Sequence, residues 1–256
     1  MKLNLREYVS SKEKKQVYVN RLFETIAPRY DLITVVLSYG MDSGWKRRLV
    51  EMLALKGDEA ALDLACGTGD IAFAIAGRLS SGYVTGLDIT QGMLEIAEHK
   101  RRERRVDNLS FHRADIMRLP FADESFDCVT AGYGLRNVPD VRGALAEIKR
   151  VLRPGGRFFS LDFGHPPNRA YRWLYLKYLT AAGSIVGLIL HGDPDTYRYI
   201  PETLKLYPGQ KGVREMMEGE GFIETGFREF GGGIMAINFG TRPRGEGRRQ
   251  NPEVII

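Results

Sequence analysis

Ala61-Leu62-Asp63-Leu64-Ala65-Cys66-Gly67-Thr68-Gly69-Asp70 carries an apolar, strand-like run straight into a glycine turn, and a helical pattern follows from Ile71 to Leu79. Strand, glycine turn and helix in that order open a Rossmann-like α/β unit, because glycine lets the backbone adopt dihedrals barred to other residues and approach a ligand closely. The same alternation continues outward. Strand-like runs occur at Ala60–Cys66, Tyr83–Ile89, Leu109–Asp115, Phe126–Tyr133 and Arg157–Phe163. Between the last two, Val141, Ala144, Leu145, Ile148, Val151 and Leu152 recur at the spacing of one buried helix face. Arg153-Pro154-Gly155-Gly156 should stop that helix and start the next strand. Phe222–Phe230 and Gly233–Thr241, parted by Gly231 and Gly232, read as a closing hairpin. The expected fold is α/β, a seven-stranded, mostly parallel sheet ending in an antiparallel hairpin.

The carboxylates around the glycine turn bear on its ligand. With Ala72, the turn also satisfies the dinucleotide pattern Gly-x-Gly-x-x-Gly/Ala. A pyrophosphate needs an uncluttered, positive helix N-terminus. Here Asp70 stands at the helix start and Asp63 near the strand end, an arrangement that repels a diphosphate and suits the ammonium and sulfonium of S-adenosylmethionine (SAM). SAM is therefore favoured over NAD, although Asp70 also serves as an ordinary dipole-complementing helix-start residue. Gly67, Gly69 and, at the second strand's tip, Asp88 with Ile89 are read as cofactor positions. An acid about 20 residues beyond the turn suits the two ribose hydroxyls. After the third strand, Asp115 can accept from the adenine amino group and Ile116 can cover the ring.

Three blocks resemble class I SAM methyltransferases in general: Asp63-Leu-Ala-Cys-Gly-Thr-Gly-Asp70, Leu119-Pro-Phe-Ala-Asp-Glu-Ser-Phe-Asp127 and Val151-Leu-Arg-Pro-Gly-Gly156. Gly132-Tyr-Gly-Leu-Arg-Asn-Val138, Phe23-Glu-Thr-Ile-Ala-Pro-Arg-Tyr-Asp31, Gly44-Trp-Lys-Arg47, Tyr197-Arg-Tyr-Ile-Pro-Glu-Thr203 and Tyr207-Pro-Gly-Gln210 are more specific. Together they resemble the ubiquinone/menaquinone biosynthesis C-methyltransferases, over about residues 16 to 241. The resemblance implies methylation of a ring carbon of demethylmenaquinol or of a polyprenyl benzoquinol. It carries SAM contacts onto Thr68, Asp88, Asp115 and Ile116, and onto Gly132, which has only backbone to offer. Asp115 stands where relatives commonly have asparagine, so when ionised it can only accept hydrogen bonds.

The acceptor chemistry asks for a group beside a phenolate. Arg136, beyond the fourth strand, is the candidate stabiliser, with Asn137 orienting the ring oxygens and His165 the available proton acceptor. A plain salt bridge to a loop acid is the other reading of Arg136, and a structural role the other reading of His165.

At 256 residues with 43% hydrophobic content, the chain can bury one large core, so residues 1–243 are expected to form a single domain. A helical cap over 16–55 and a helical lid insertion over 166–219 stand outside the sheet, and 244–256 read as a flexible tail. Within the insertion, Leu174–Leu190 is apolar but interrupted by Lys177 and small residues, and is expected to fall short of a membrane span. A channel or lid for the prenyl chain and a buried core helix are both open for it. Two cysteines and four scattered histidines exclude a disulfide framework and a zinc spacing, so no metal is expected. The polar, lysine-rich start points to a cytoplasmic protein. The net charge of +5 comes from clusters such as Lys12–Lys15, Arg101–Arg105 and Arg244–Arg249. These suit solvated faces or peripheral contact with the inner face of a membrane. A methyltransferase of another small aromatic molecule and a nucleic-acid-binding protein are the rival readings, the second resting on charge alone and lacking a recognisable reading module. Nucleic acid is accordingly not expected as a partner.

Overall fold

The computed structural model describes residues 12–194 and 196–244, with side chains from residue 16. The tail after Arg244 and the side chains of Lys12–Lys15 lie outside the described residues. Strands β1 (Ala60–Leu64), β2 (Tyr83–Asp88), β3 (Leu109–Arg113), β4 (Phe126–Gly132), β5 (Leu152–Phe163), β6 (Ile223–Phe230) and β7 (Met235–Thr241) form one sheet of order β3-β2-β1-β4-β5-β7-β6. The first five run parallel, and β7 inserts antiparallel between β5 and β6. The order reverses between β1 and β4, which places a ligand crevice at their carboxyl ends.

Strand alternation sorts the core onto two faces. Leu62, Leu64, Val129 and Ala131 face one way, onto α6 (Val141–Val151) and α9 (Gly209–Gly219) through Leu145, Ile148, Val213 and Met217. Ala61, Val84, Leu109 and Cys128 face the other, against Leu49 of α3 (Asp42–Met52), Leu53 just beyond it, and Ile71 and Ile75 of α4 (Asp70–Ala76). Helix α6 starts where Asp140 accepts the amides of Arg142 and Gly143, a side-chain cap on its orphan donors.

One boundary differs from expectation. Strand β5 begins at Leu152, so Arg153-Pro154-Gly155-Gly156 lies inside it. The stretch is tolerated because the β4–β5 register shifts between Phe126 and Cys128, a bulge that leaves the Pro154 nitrogen outside the ladder.

The cap consists of α1 (Lys12–Ile26), a 3-10 turn (Ala27–Arg29), α2 (Tyr30–Leu37) and α3. It packs onto α5 (Gln91–Arg104) and, through Tyr18 and Val19 against Tyr199, onto α8 (Tyr199–Leu206). Helix α7 (Arg169–His191) corrects the expectation of a stretch too short to span: 23 residues reach ~34 Å, against ~30 Å of bilayer hydrocarbon. Among the described residues it is the one helix long and apolar enough to cross a membrane, which is weak evidence for crossing. Its inner face is engaged in the fold. A Cβ at Gly187 would lie 2.5 Å from the Asp193 carbonyl, and one at Gly183 3.1 Å from Tyr197.

Candidate active site

The carboxyl ends of β1, β2, β3 and β4 border a cavity of about 700 Å³. Six residues read from the sequence as cofactor contacts line it: Gly67, Asp88, Ile89, Asp115, Ile116 and Gly132. The other two shape the turn. Gly69 holds φ +91° at the N-terminus of α4, with the Phe73 and Phe111 rings 2.9 Å from where a Cβ would stand. Buried Thr68 donates its hydroxyl to Asp31 of the cap, at 2.6 Å.

Asp88 is fixed by two amides. Its Oδ2 accepts the Gly67 N–H at 2.8 Å and its Oδ1 the Thr90 N–H at 2.9 Å. Burial raises its carboxyl above the usual range, while these amides oppose the rise. Each oxygen keeps a lone pair, so the pair can accept two adjacent hydroxyls. Asp115 is held alike, by the Met117 amide at 2.9 Å and the Gln16 side chain at 2.6 Å.

The two carboxylates expected to face a cationic ligand separate. Asp70 is 2.9 Å from Lys46 and 3.6 Å from Lys100, which consume its charge and hold its carboxyl low despite burial. Asp63 is 1% exposed; its Oδ1 accepts the Thr130 hydroxyl at 2.6 Å, and its Oδ2 has no hydrogen-bond partner. Burial pushes its carboxyl up to about 7, although Thr130 pulls the other way. Asp63 lines neither cavity, but a buried, half-satisfied carboxylate beneath the glycine turn favours a cation bound above that turn. With an acid for vicinal hydroxyls, an acceptor for an amine and the Ile89 and Ile116 side chains for a ring, these residues fit SAM.

A second cavity, about 1250 Å³, lies beside the first, and Phe23, Tyr30 and Tyr133 line both. Its walls are mostly apolar and aromatic, from α2, α7, α8 and the ends of β4 and β5. Arg136 lines it and pairs with Asp162 of β5 at 2.7 Å, so the salt bridge that was its other reading is present, with a strand acid in place of a loop acid. Its guanidinium carbon sits 4.9 Å from the centre of the Phe163 ring. Burial alone would lower the Arg136 pKa, and Asp162 outweighs it.

Asn137 and His165 stand elsewhere. Asn137 lines the first cavity, donating to the Tyr133 carbonyl at 3.0 Å and accepting the Tyr199 hydroxyl at 3.0 Å. His165 lines neither cavity. Its Nε2 is 2.9 Å from the Leu204 carbonyl, its amide donates to Gln210, and its ring packs on Gly209. The histidine after the fifth strand thus ties α8 and α9 together, away from both cavities.

A polar pair that the sequence reading passed over stands between the cavities. Tyr133, which holds φ +58°, donates its hydroxyl to buried Asp42 at 2.6 Å, and Asp42 pairs with Lys46 at 2.6 Å. Positive φ at a bulky residue is strain of the sort that sites retain. The signal was present in Gly132-Tyr133-Gly134, but its carboxylate partner is 91 residues away.

Comparison with known proteins supports this geometry. A demethylmenaquinone methyltransferase of Thermus thermophilus is 39% identical over 87% of this chain and all of its own length. A ubiquinone/menaquinone biosynthesis C-methyltransferase of Cellvibrio japonicus is 36% identical over 90% of this chain and 94% of its own. In fold, the chain is similar to a SAM-dependent methyltransferase of Thermotoga maritima (TM-score 0.62, 18% identity, 87% of this chain and 99% of the other). It is also similar to the [4+2]-cyclase SpnF (TM-score 0.61, 19% identity, 92% and 97%). The profile of the ubiE/COQ5 methyltransferase family matches residues 9–242. The chain belongs to the ubiE/COQ5 methyltransferase family and is a SAM-dependent C-methyltransferase.

Proposed function

We propose that the acceptor is the reduced ring of a prenylated quinone precursor, bound in the second cavity with its hydrocarbon chain among the side chains of α2 and α7. The observation that carries this reading is the pairing of the two cavities across Phe23, Tyr30 and Tyr133, one with Asp88 and Asp115 among its mostly apolar walls and the other aromatic and apolar. Relatives named for demethylmenaquinone and for ubiquinone/menaquinone biosynthesis support the substrate class.

On this reading, Asp88 holds the ribose and Asp115 and Ile116 the adenine of SAM, which supplies an electrophilic methyl group, and the buried Asp63 carboxylate favours its ammonium end from beneath the glycine turn. The chain's task is alignment and charge. Methyl transfer to carbon needs an electron-rich ring, so a quinol hydroxyl must give up its proton as the new bond forms. Tyr133 cannot act alone, because burial and Asp42 raise its pKa well above the ordinary phenol value. It can accept the quinol proton while passing its own to the Asp42 carboxylate. Arg136 then steadies the oxygen's negative charge. After transfer, the ring carbon loses its proton and the hydroxyl is restored, leaving one proton released overall.

The test compares acceptors of rising prenyl length in reduced and oxidised form. Reduced acceptors should turn over, with KM falling at least ~tenfold between none and two isoprene units as hydrocarbon fills the cavity. Equal turnover of a rigorously oxidised ring, or a KM indifferent to chain length, contradicts the assignment.

A further inference from the structure

Helix α7 is apolar on both of its faces. Its inner face is buried through Leu179, Gly183 and Gly187. Its outer face carries Trp173, Leu174, Ile185, Leu188 and Ile189, each 58–74% exposed. A surface helix normally turns charged and polar side chains outward, and one that is apolar all round is normally buried. Here only 17% of the apolar window is buried.

The patch extends beyond one helix. Helix α2 adds exposed Leu32, Val35 and Val36, and Tyr39 stacks on Tyr178 of α7 with ring centres 5.4 Å apart. Single exposed apolar residues are ordinary, whereas a contiguous apolar face marks an interaction site. The second cavity opens within it, since exposed Tyr39, Met41 and Leu174 line that cavity. Charge narrows the choice of partner. Helix α7 has no Asp or Glu, and Arg169, Arg172 and Lys177 lie along its N-terminal half. The Lys177 ammonium sits 5.7 Å from the Trp173 ring centre, an amphipathic pair suited to the boundary between water and hydrocarbon.

We propose that this face rests on an anionic lipid surface, with Ile185, Leu188 and Ile189 in the outer hydrocarbon and the α7 cations among the headgroups. A prenyl chain then passes between bilayer and cavity without crossing water, a consequence that rests on the quinol reading above. A second copy of the chain seated there would stopper the mouth through which its own acceptor must pass. Spanning is disfavoured because α7 would have to leave the close backbone contacts of Gly183 and Gly187. The dock therefore lies around the cavity mouth. It does not depend on the Arg101–Arg105 cluster, where Arg101 and Arg102 pair with Glu98 and Arg104 lies over Phe73.

Flotation with phosphatidylcholine vesicles, with and without a minority of phosphatidylglycerol, tests the proposal on the full chain. The protein should float with the anionic vesicles, and more weakly with neutral ones. The triple variant I185S/L188S/I189S should lower partitioning at least ~tenfold, while turnover of a short-chain, water-soluble acceptor stays unchanged. Arg102→Glu should float like the wild type. No flotation of the wild type, or equal flotation of the triple variant, overturns the dock. So does a dimer in lipid-free sedimentation that the triple variant dissolves. Should no quinol be methylated while flotation still depends on these three residues, the dock stands and the substrate reading falls.

Discussion

Asp63 is the residue whose chemistry separates stability from function most sharply. Its carboxyl titrates near 7 in the ligand-free protein, against about 3.8 ordinarily. The folded state therefore binds the extra proton between those values. Stability from this group is highest below about pH 4, falls as pH rises toward 7 and is flat above. Asp63→Asn removes the charge without the volume. At pH 8 it should raise the melting temperature of the ligand-free protein by about 3–6 °C and flatten the slope between pH 4 and 7. SAM affinity should drop by ~tenfold or more. Calorimetry in both states checks this, and unchanged SAM affinity would remove Asp63 from the site.

Arg136 is a harder test, because it is both a cavity wall and half of a buried ion pair. Arg136→Met strands Asp162 and should cost ~3–5 kcal/mol. Lost activity in that variant alone would therefore be uninformative. The double variant R136M/D162L should regain most of the stability. If Arg136 steadies the acceptor oxygen, kcat in the double variant stays ~10²–10³-fold down while SAM affinity is near normal. Recovery of kcat along with stability would make the residue structural.

At the scale of elements, the cap is tied to the sheet by a chain of charges. Tyr133 meets Asp42, Lys46 bridges Asp42 and Asp70, Lys100 reaches Asp70 and Asp31, and Thr68 donates to Asp31. Burial alone would lower the Lys46 ammonium, yet Asp70 and Asp42 outweigh it and raise it. Lys46→Met should destabilise the protein by roughly 1.5–3 kcal/mol. It should also speed amide exchange in residues 30–45 and leave the Ile75 region protected. Uniform loss of protection would show that these ties do not act locally. This network was not legible in the sequence. Asp31, Asp42 and Lys46 sit in helices of the expected cap over 16–55, but a charge reveals its partner only once the chain has folded. The strands were legible because alternation and glycine turns are local signals. His165 misled for the converse reason: its position after β5 matched a proton acceptor, while Leu204 and Gln210, which hold it, lie about 40 residues on.

At the scale of the molecule, the seven strands and the closing hairpin follow from the pattern of runs, whereas the strand order, with the reversal between β1 and β4 that sets the first cavity, came only with the fold. That Asp88, Asp115 and Ile116 share one cavity was readable because strand ends in this fold converge on one crevice. The second cavity was readable only as an apolar insertion. Its walls come from α2, α7 and α8, which meet through packing that no local pattern encodes. Two adjoining cavities, one for SAM and one for a hydrocarbon-bearing ring, form the central claim, and the position of the transferred methyl group tests it most directly. The protein is incubated with SAM carrying a ¹³C-labelled methyl and a reduced, demethylated prenyl naphthoquinol, and the product is read by NMR. The account predicts label on the open ring carbon as a carbon-bound methyl, with turnover lost in Tyr133→Phe. Label on a ring oxygen, or full turnover in Tyr133→Phe, would contradict it.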